Sequence, residues 1–418
     1  MKKRATHRNH LLFCMILLAV SLLLTGCAAL FEKPVQRFSA PLTLIDEDDV
    51  LSLLDDLDLP SLEAAIGGSL QYYERVPAGT YRFGNRQVSA GELKESLILF
   101  REIMQRPDAV EIKTKKIRES FEFYQAAGMD ERGTMLFTGY YVPLLNGSPV
   151  MTERYRYPVY ETPDDLIVAH LDDVNKKFKS GQMIGRLEEG ELVPYYSRRD
   201  IDEDGVLRGR HLEMVWVDDP FELFQLHVQG SGKIRLPDGQ IISVSFAQSN
   251  GRPFKSISRF LLDHGRIAGR DMAYQNIKNY LREHPDECAE IFNFNERYIF
   301  FHRVENGPMG ALQISVTSGR SIATDPDFFP KGALAFMKAQ KPQLDPGGKV
   351  QAWVPFSRFV LNQDAGAAIK GPGRIDLFCG DGPEAEQLAG SLKEKGILYF
   401  LVKKKVKSSP IGNGLTNR

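Results

Sequence analysis

Cysteine, tryptophan and net charge are all scarce in this chain: 418 residues carry four Cys, two Trp, and 53 basic against 54 acidic side chains. Four cysteines cannot build a disulfide scaffold for a chain of this size. The charge balance leaves no global basic field to attract a nucleic acid, so no nucleic-acid partner is expected. The eight histidines, at 7, 10, 170, 211, 227, 264, 284 and 302, include no i, i+4 pair, and no Cys-x-x-Cys occurs, so a zinc site has no ligand set. A Gly-x-Ser-x-Gly elbow is also missing, because Gly230-Ser231-Gly232 lacks the flanking pattern. Gly380-Asp381-Gly382-Pro383-Glu384-Ala385 spells a dinucleotide loop, but no βαβ unit and no acid about 20 residues on follow it. Its glycines read as a turn, with Pro383 and Glu384 opening a helix. Neither metal nor cofactor is expected. Repeats and low-complexity tracts are lacking too. What remains, 43% hydrophobic and 26% charged, is a globular chain of two or three domains at about 150 residues each.

The N-terminus carries the one long apolar run. Lys2, Lys3, Arg4 and Arg8 precede Leu11–Leu24, a stretch too short for the ~20 residues of a membrane span. Leu24-Thr25-Gly26-Cys27 closes it and resembles the bacterial lipobox. Residues 1–26 are therefore expected to be a lipoprotein signal peptide, with Cys27 the lipidated first residue of the mature chain; two or three acyl chains there anchor stably. Ala28 in place of Asp, by resemblance to enterobacterial lipoproteins, implies an outer-membrane lipoprotein facing the periplasm. Cys288 and Cys379 are expected as free thiols.

Texture divides the rest. Residues 27–41 read as a tether. From about 46 to 127 the apolar period is helical, with Leu93, Leu97, Phe100, Ile103 and Met104 on one face, and Ile117, Phe121 and Tyr124 on another that Gly128 would stop. After Gly133 the period becomes that of a strand, Met135 to Tyr141. Short β-like runs follow, among them Met214–Val217, Phe224–Val228 and Ile241–Val244, with Pro237-Asp238-Gly239 as a hairpin turn. Residues 256–292 return to helix, and short strands resume to Phe400.

Three aspartates in the C-terminal third carry the chemistry. Asp376 sits in Ile375-Asp376-Leu377-Phe378, so it is expected on a strand and partly buried; desolvation would raise its pKa toward the range a general acid needs. Asp364, in a Gly/Ala-rich loop, is the carboxylate that would support it. Asp325, before Pro326, reads as a structural aspartate anchoring a turn.

These landmarks resemble, in order, the membrane-bound lytic murein transglycosylase A family: Gly139-Tyr140-Tyr141-x-Pro143, Val228-Gln229-Gly230-Ser231-Gly232, Ser249 to Ile257, Tyr298-Ile299-Phe300-Phe301, and the three-aspartate module. Val142, Phe254, Ser258, Ala365 and Ala367 depart from the usual residues. The resemblance implies a mainly β protein with a helical N-terminal part: a double-psi β-barrel domain plus a second, inserted β-rich domain, with a glycan groove between them. The implied boundaries are 42–145 for the helical segment and first part of the barrel domain, 146–305 for the insert, and 306–418 for the module completing the barrel. The implied activity is cleavage of the β-1,4 bond between N-acetylmuramic acid and N-acetylglucosamine, leaving 1,6-anhydro ends. In that reaction the sugar's own C6 hydroxyl replaces water, so one carboxyl, Asp376, acts as acid and then base, with Asp364 in support. Tyr140, Tyr141, Gln229, Ser231, Asn250, Arg252, Lys255 and Lys370 are the candidates for binding glycan strands, and strand alternation lets only one of the two tyrosines face the groove. Two other readings stay open: a non-catalytic peptidoglycan-binding lipoprotein, and a hydrolytic glycosidase on the same barrel.

Overall fold

The computed structural model describes residues 38, 40–50, 52–76, 79–170, 182–269, 274–305, 307–345 and 349–405. Cys27 and the signal segment lie outside the described residues. From the N-terminal side come β1 (Leu42–Ile45), α1 (Leu59–Arg75), the hairpin β2 (Thr80–Phe83) and β3 (Arg86–Ser89), α2 (Ala90–Gln105), α3 (Val110–Ser120), β4 (Phe121–Ala126) and β5 (Met135–Val142). Next come β6 (Leu144–Ser148), β7 (Tyr157–Tyr160), β8 (Ile167–His170), β9 (Gln182–Glu188), β10 (Glu191–Pro194), α4 (Arg198–Asp202), β11 (Glu213–Val217) and α5 (Pro220–Gln229). The strands β12 (Ser231–Arg235) and β13 (Ile241–Ser249) then lead to α6 (Ile257–Asp263), α7 (Tyr274–Glu283), α8 (Cys288–Phe294) and β14 (Ile299–Val304). The last stretch is β15 (Ser321–Ala323), β16 (Leu334–Leu344), β17 (Val350–Asp364), β18 (Arg374–Asp381), α9 (Gly382–Ser391) and β19 (Lys393–Lys403). No helix among the described residues is long and apolar enough to cross a membrane.

Six strands close into a ring in the order β19-β16-β17-β15-β18-β5, with β5 returning to β19, so this sheet has no free edge around the barrel. β4 and then β1 extend it from the other end of β19. The ring is apolar inside: Phe137, Ile322, Ile375, Met337, Val360 and Phe400 are all fully buried, each contributing about 1.5–3 kcal/mol by burial. Helix α2 packs against β16 and β19, with Phe100 on Phe359 of β17, and is capped by Ser89 and Glu92 bonding reciprocally. It buries Leu93, Leu97, Phe100 and Ile103 on the face that the period predicts.

Two local expectations are overturned. Phe121 and Tyr124 do not continue the helix of Ile117: α3 ends at Ser120 and residues 121–126 form a strand. The reason is non-local, since β4 pairs with β1 on one side and β19 on the other. The run Phe224–Val228 is helix and not strand, because Asp219 caps α5 through the Phe221 and Glu222 amides and Pro220 occupies its first turn.

Strands from residues 144–304 build a separate six-stranded sheet, β14-β13-β12-β6-β11-β7, and a three-stranded one, β10-β9-β8. The first packs its own core of Val159, Val215, Leu226, Ile234, Val244 and Phe301.

Candidate active site

Pairing register brings distant residues into one row. Ala323 on β15 opposes Asp364 on β17 and Asp376 on β18, and Asp376 opposes Thr138 on β5. The row Asp364–Ala323–Asp376–Thr138 therefore crosses four adjacent strands, which puts the two carboxylate-bearing Cα atoms about 10 Å apart. Ile375 and Leu377 are buried at 0% and 3%, so alternation turns Asp376 to the opposite, outer face of the barrel. Its side chain is 15% exposed.

Asp376 Oδ1 accepts a hydrogen bond from Thr138 Oγ1 and another from Arg374 Nη2 at 3.3 Å. Arg374 also donates to Thr138 Oγ1, at 3.2 Å, and to the Ala368 carbonyl at 3.3 Å. Loss of water is the largest influence on the Asp376 carboxyl and pushes its pKa up to about 6; Arg374 opposes that shift and the charge of Asp364 adds to it.

Asp364 is held by three donors. Its Oδ2 accepts from the Tyr140 hydroxyl at 2.7 Å, and its Oδ1 from the amides of Ala311 and Ala365, each at 2.8 Å. Burial raises its pKa and these three bonds resist the rise. Tyr140 stacks obliquely on Phe378, with ring centres 5.1 Å apart. Burial and the adjacent Asp364 hold its phenol well above the usual range, which keeps it a donor.

The segment 307–316 brings the second sheet to this row. Ser231 and Ser245 lie 3.3 Å apart on β12 and β13, and each hydroxyl donates to the Met309 carbonyl at 3.4 Å. Two residues on, Ala311 reaches Asp364. Gly310 lets the segment lie this close: a Cβ there would stand 2.8 Å from the Gln363 carbonyl and 3.3 Å from the Asp364 carboxyl carbon.

Of the residues expected to bind glycan, Tyr140 bonds Asp364 directly, and Ser231 is linked to the row through the Met309 carbonyl of segment 307–316. Gln229 closes α5 and accepts from the Tyr141 amide at 3.2 Å. Lys370 is exposed on the loop before β18, a loop tied down where Asp325, itself 3% exposed, accepts from the Gly371 amide at 2.8 Å.

The other four candidates make their contacts away from the two carboxylates. Tyr141 is buried beside Ala385 and Ala389 of α9, its hydroxyl 2.9 Å from that of Tyr274. Asn250 is 1% exposed, and its amide bridges the carbonyls of Tyr196 and Glu296 while its Oδ1 accepts from the Tyr298 amide. Arg252 donates to the Tyr195 carbonyl at 3.1 Å, and Lys255 pairs with Glu296. Asn250 and Arg252 tie down backbone carbonyls and Lys255 a carboxylate, and none of the three has a hydrogen bond to Asp364 or Asp376.

Sequence reasoning missed Thr138, Arg374 and Ala311. Strand parity offered the first two: Thr138 alternates with buried Phe137, and Arg374 stands two residues before Asp376. Ala311 acts through its backbone and leaves no side-chain signal. A cavity of about 200 Å³ lined by Leu53, Leu57, Leu62, Ile117 and Phe359 lies elsewhere in the barrel domain, so it is not part of this site.

Two family descriptions match the chain: "MltA specific insert domain" over residues 136–302 and "3D domain" over residues 320–402. Membrane-bound lytic murein transglycosylase A of Escherichia coli K12 is 28% identical over 292 residues, which is 69% of this chain and 71% of that one. A membrane-bound lytic murein transglycosylase of Agrobacterium tumefaciens, known from its crystal structure, is 30% identical with a TM-score of 0.71; the match covers 87% of this chain and 97% of that one. The fold is also that of E. coli MltA crystallised with bound chitohexaose, at 23% identity and a TM-score of 0.66 over 88% of this chain and 96% of that one. A ring carrying the aspartate row, a second sheet from the intervening residues and these likenesses lead to one assignment: the chain belongs to the membrane-bound lytic murein transglycosylase A family.

Proposed function

We propose that this chain is a lytic transglycosylase that cleaves the β-1,4 bond between N-acetylmuramic acid and N-acetylglucosamine in peptidoglycan, with Asp376 as acid and then base. The names of its relatives support the enzyme class and the murein substrate. The observation that carries the mechanism is the Asp376 carboxyl, raised to about 6 between the buried Ile375 and Leu377 and held in place by Thr138 and Arg374. Near pH 6 half of these carboxyls hold a proton, which suits a group that must give one up and take one back.

The protonated Asp376 donates to the glycosidic oxygen as the bond to C1 of the muramic acid breaks. The C6 hydroxyl oxygen of the same sugar bonds to C1, and its proton passes to the Asp376 carboxylate. The acid is regenerated, no water is consumed, and a 1,6-anhydro ring ends the strand. Asp364 keeps Asp376 basic enough for the second half of this cycle. Digestion of purified sacculi followed by mass spectrometry tests the reading: anhydro ends are expected, and reducing ends alone would make the chain a hydrolase.

Asp364→Asn removes a negative neighbour, so the Asp376 pKa falls and the acid form is lost at lower pH. The alkaline limb of the pH–rate profile is expected to move down, with turnover reduced about 10-fold. An unmoved limb would detach Asp364 from the mechanism.

The same reading extends to placement. The mature chain is proposed to begin at a lipidated Cys27 and to face the periplasm from the outer membrane; the "membrane-bound" names of the relatives support membrane association. Residues 146–305 are proposed as the insert and the flanking segments as one barrel domain, which the separate sheet of strands from 144–304 supports.

A further inference from the structure

Strand β19 opens with Lys393-Glu394-Lys395, and its register with β5 sets Lys393 opposite Thr138 and Lys395 opposite Leu136. Thr138 and Leu136 in turn oppose Asp376 and Arg374 on β18. Directly opposed residues share a face of the sheet. Lys393 thus stands in the Asp376 row two strands away, at about 10 Å between Cα atoms, and Lys395 stands likewise in the Arg374 row. Glu394 opposes the fully buried Phe137, so it belongs to the other face and does not neutralise the two lysines there. Both lysines are exposed, and among the described residues neither forms an ion pair. At the far end of the same strand Lys403 holds Glu95, and neighbouring Lys404 holds Glu47. Two unspent cations therefore lie on the outer face beside Asp376, within reach of their flexible side chains.

We propose that Lys393 and Lys395 form a subsite for the carboxylates of the peptide stem carried by muramic acid, so that the chain favours peptide-bearing over denuded glycan. The proposal rests on the glycan-cleaving reading above. In the stem-bearing polymer the lactyl carboxyl of muramic acid is taken up in the amide to the peptide, so the anionic groups are those of the stem, carried by the sugar whose C1 meets Asp376. An extended peptide advances about 3.3–3.6 Å per residue, so carboxylates in the first three residues of the stem span the distance to the lysines.

The test measures affinity in Asp376→Asn protein, so that ligand survives, using muro-oligosaccharides with intact stems and the same oligosaccharides stripped by an amidase, which keep only the short lactyl carboxylate and not the extended stem that spans to the lysines. The stem-bearing form is expected to bind about three- to tenfold tighter, the range that two exposed ion pairs supply, and the preference should fade in about 0.5 M salt. Adding Lys393→Gln and Lys395→Gln should bring the ratio of the two affinities to about one, and Lys393→Glu with Lys395→Glu should invert it. A ratio unchanged by the double glutamine variant overturns the subsite. Failure of the parent reading looks different: wild-type protein would release no anhydro ends from sacculi, while the affinity ratio would still decide the role of the lysines.

Discussion

Asp376→Asn is expected to lower turnover on peptidoglycan by roughly 10²–10⁴, the range for losing a general acid and base, while glycan binding persists. Asparagine keeps the shape and an oxygen for the Thr138 and Arg374 donors, but it cannot give and regain a proton. The same variant should be more stable than wild type at neutral pH. A carboxyl at about 6 in the folded chain has an unfolded pKa near 3.9, so the folded state holds its proton more tightly and loses stability as pH rises from about 4 through 6. Above that range the cost levels off at no more than about 3 kcal/mol, and below pH 4 it vanishes. Urea titrations should therefore show Asp376→Asn ahead by about 1–2 kcal/mol at pH 7 and level with wild type at pH 4. A variant that is less stable at pH 7 would mean that Asp376 is a structural carboxylate in a favourable ion pair with Arg374. Retention of more than half of wild-type turnover, with Asp364→Asn inactive, would reverse the two roles.

How much of this was legible beforehand depended on whether the deciding contact was local. Asp376 could be read from its neighbours, because a charged residue between isoleucine and leucine in a strand must face away from their core. Its partner Thr138 could not, since it arrives from 238 positions away through the parallel pairing of β5 with β18. The capped start of α5 was written in Asp219-Pro220, yet the apolar run after it satisfies strand and helix templates alike. At β4 the helical spacing of Ile117, Phe121 and Tyr124 was real but gave way to two flanking strands. The contacts of Asn250, Arg252 and Lys255 were illegible for a different reason. Polar side chains among glycine and proline have the composition of a sugar site, and only the fold reveals that backbone carbonyls at 195–196 and 296, and the Glu296 carboxylate, already occupy them.

Arg320 sets the largest expected effect on stability. It lies just ahead of β15, is 0% exposed, and spends its guanidinium on the N-terminal segment and on β17: Nη1 to Asp55 Oδ2 at 2.7 Å and to the Phe359 carbonyl at 2.9 Å, Nη2 to the Asp58 carbonyl at 2.8 Å, and Nε to Ser61 Oγ at 3.0 Å. Asp55, with its side chain 11% exposed, also accepts from the Leu57 amide at 3.0 Å and the Phe359 amide at 3.2 Å. Arg320→Ala would leave that carboxylate without its charged partner and the buried Phe359 carbonyl without this donor, a loss of about 3–5 kcal/mol for a broken buried pair. Against a total of about 5–15 kcal/mol for a folded domain, this is enough to lower the thermal midpoint by about 10 °C. Arg320→Lys should fall between the two, because an ammonium keeps the charge but cannot span four acceptors held in a planar fork. Turnover per folded molecule should stay within a few-fold of wild type, since no hydrogen bond joins Arg320 to either carboxylate of the row. An unchanged urea midpoint in Arg320→Ala would show that water replaces the guanidinium at no cost. A selective loss of turnover at unchanged stability would instead show that Arg320 acts through β15, by setting the spacing that Ala323 keeps between Asp364 and Asp376.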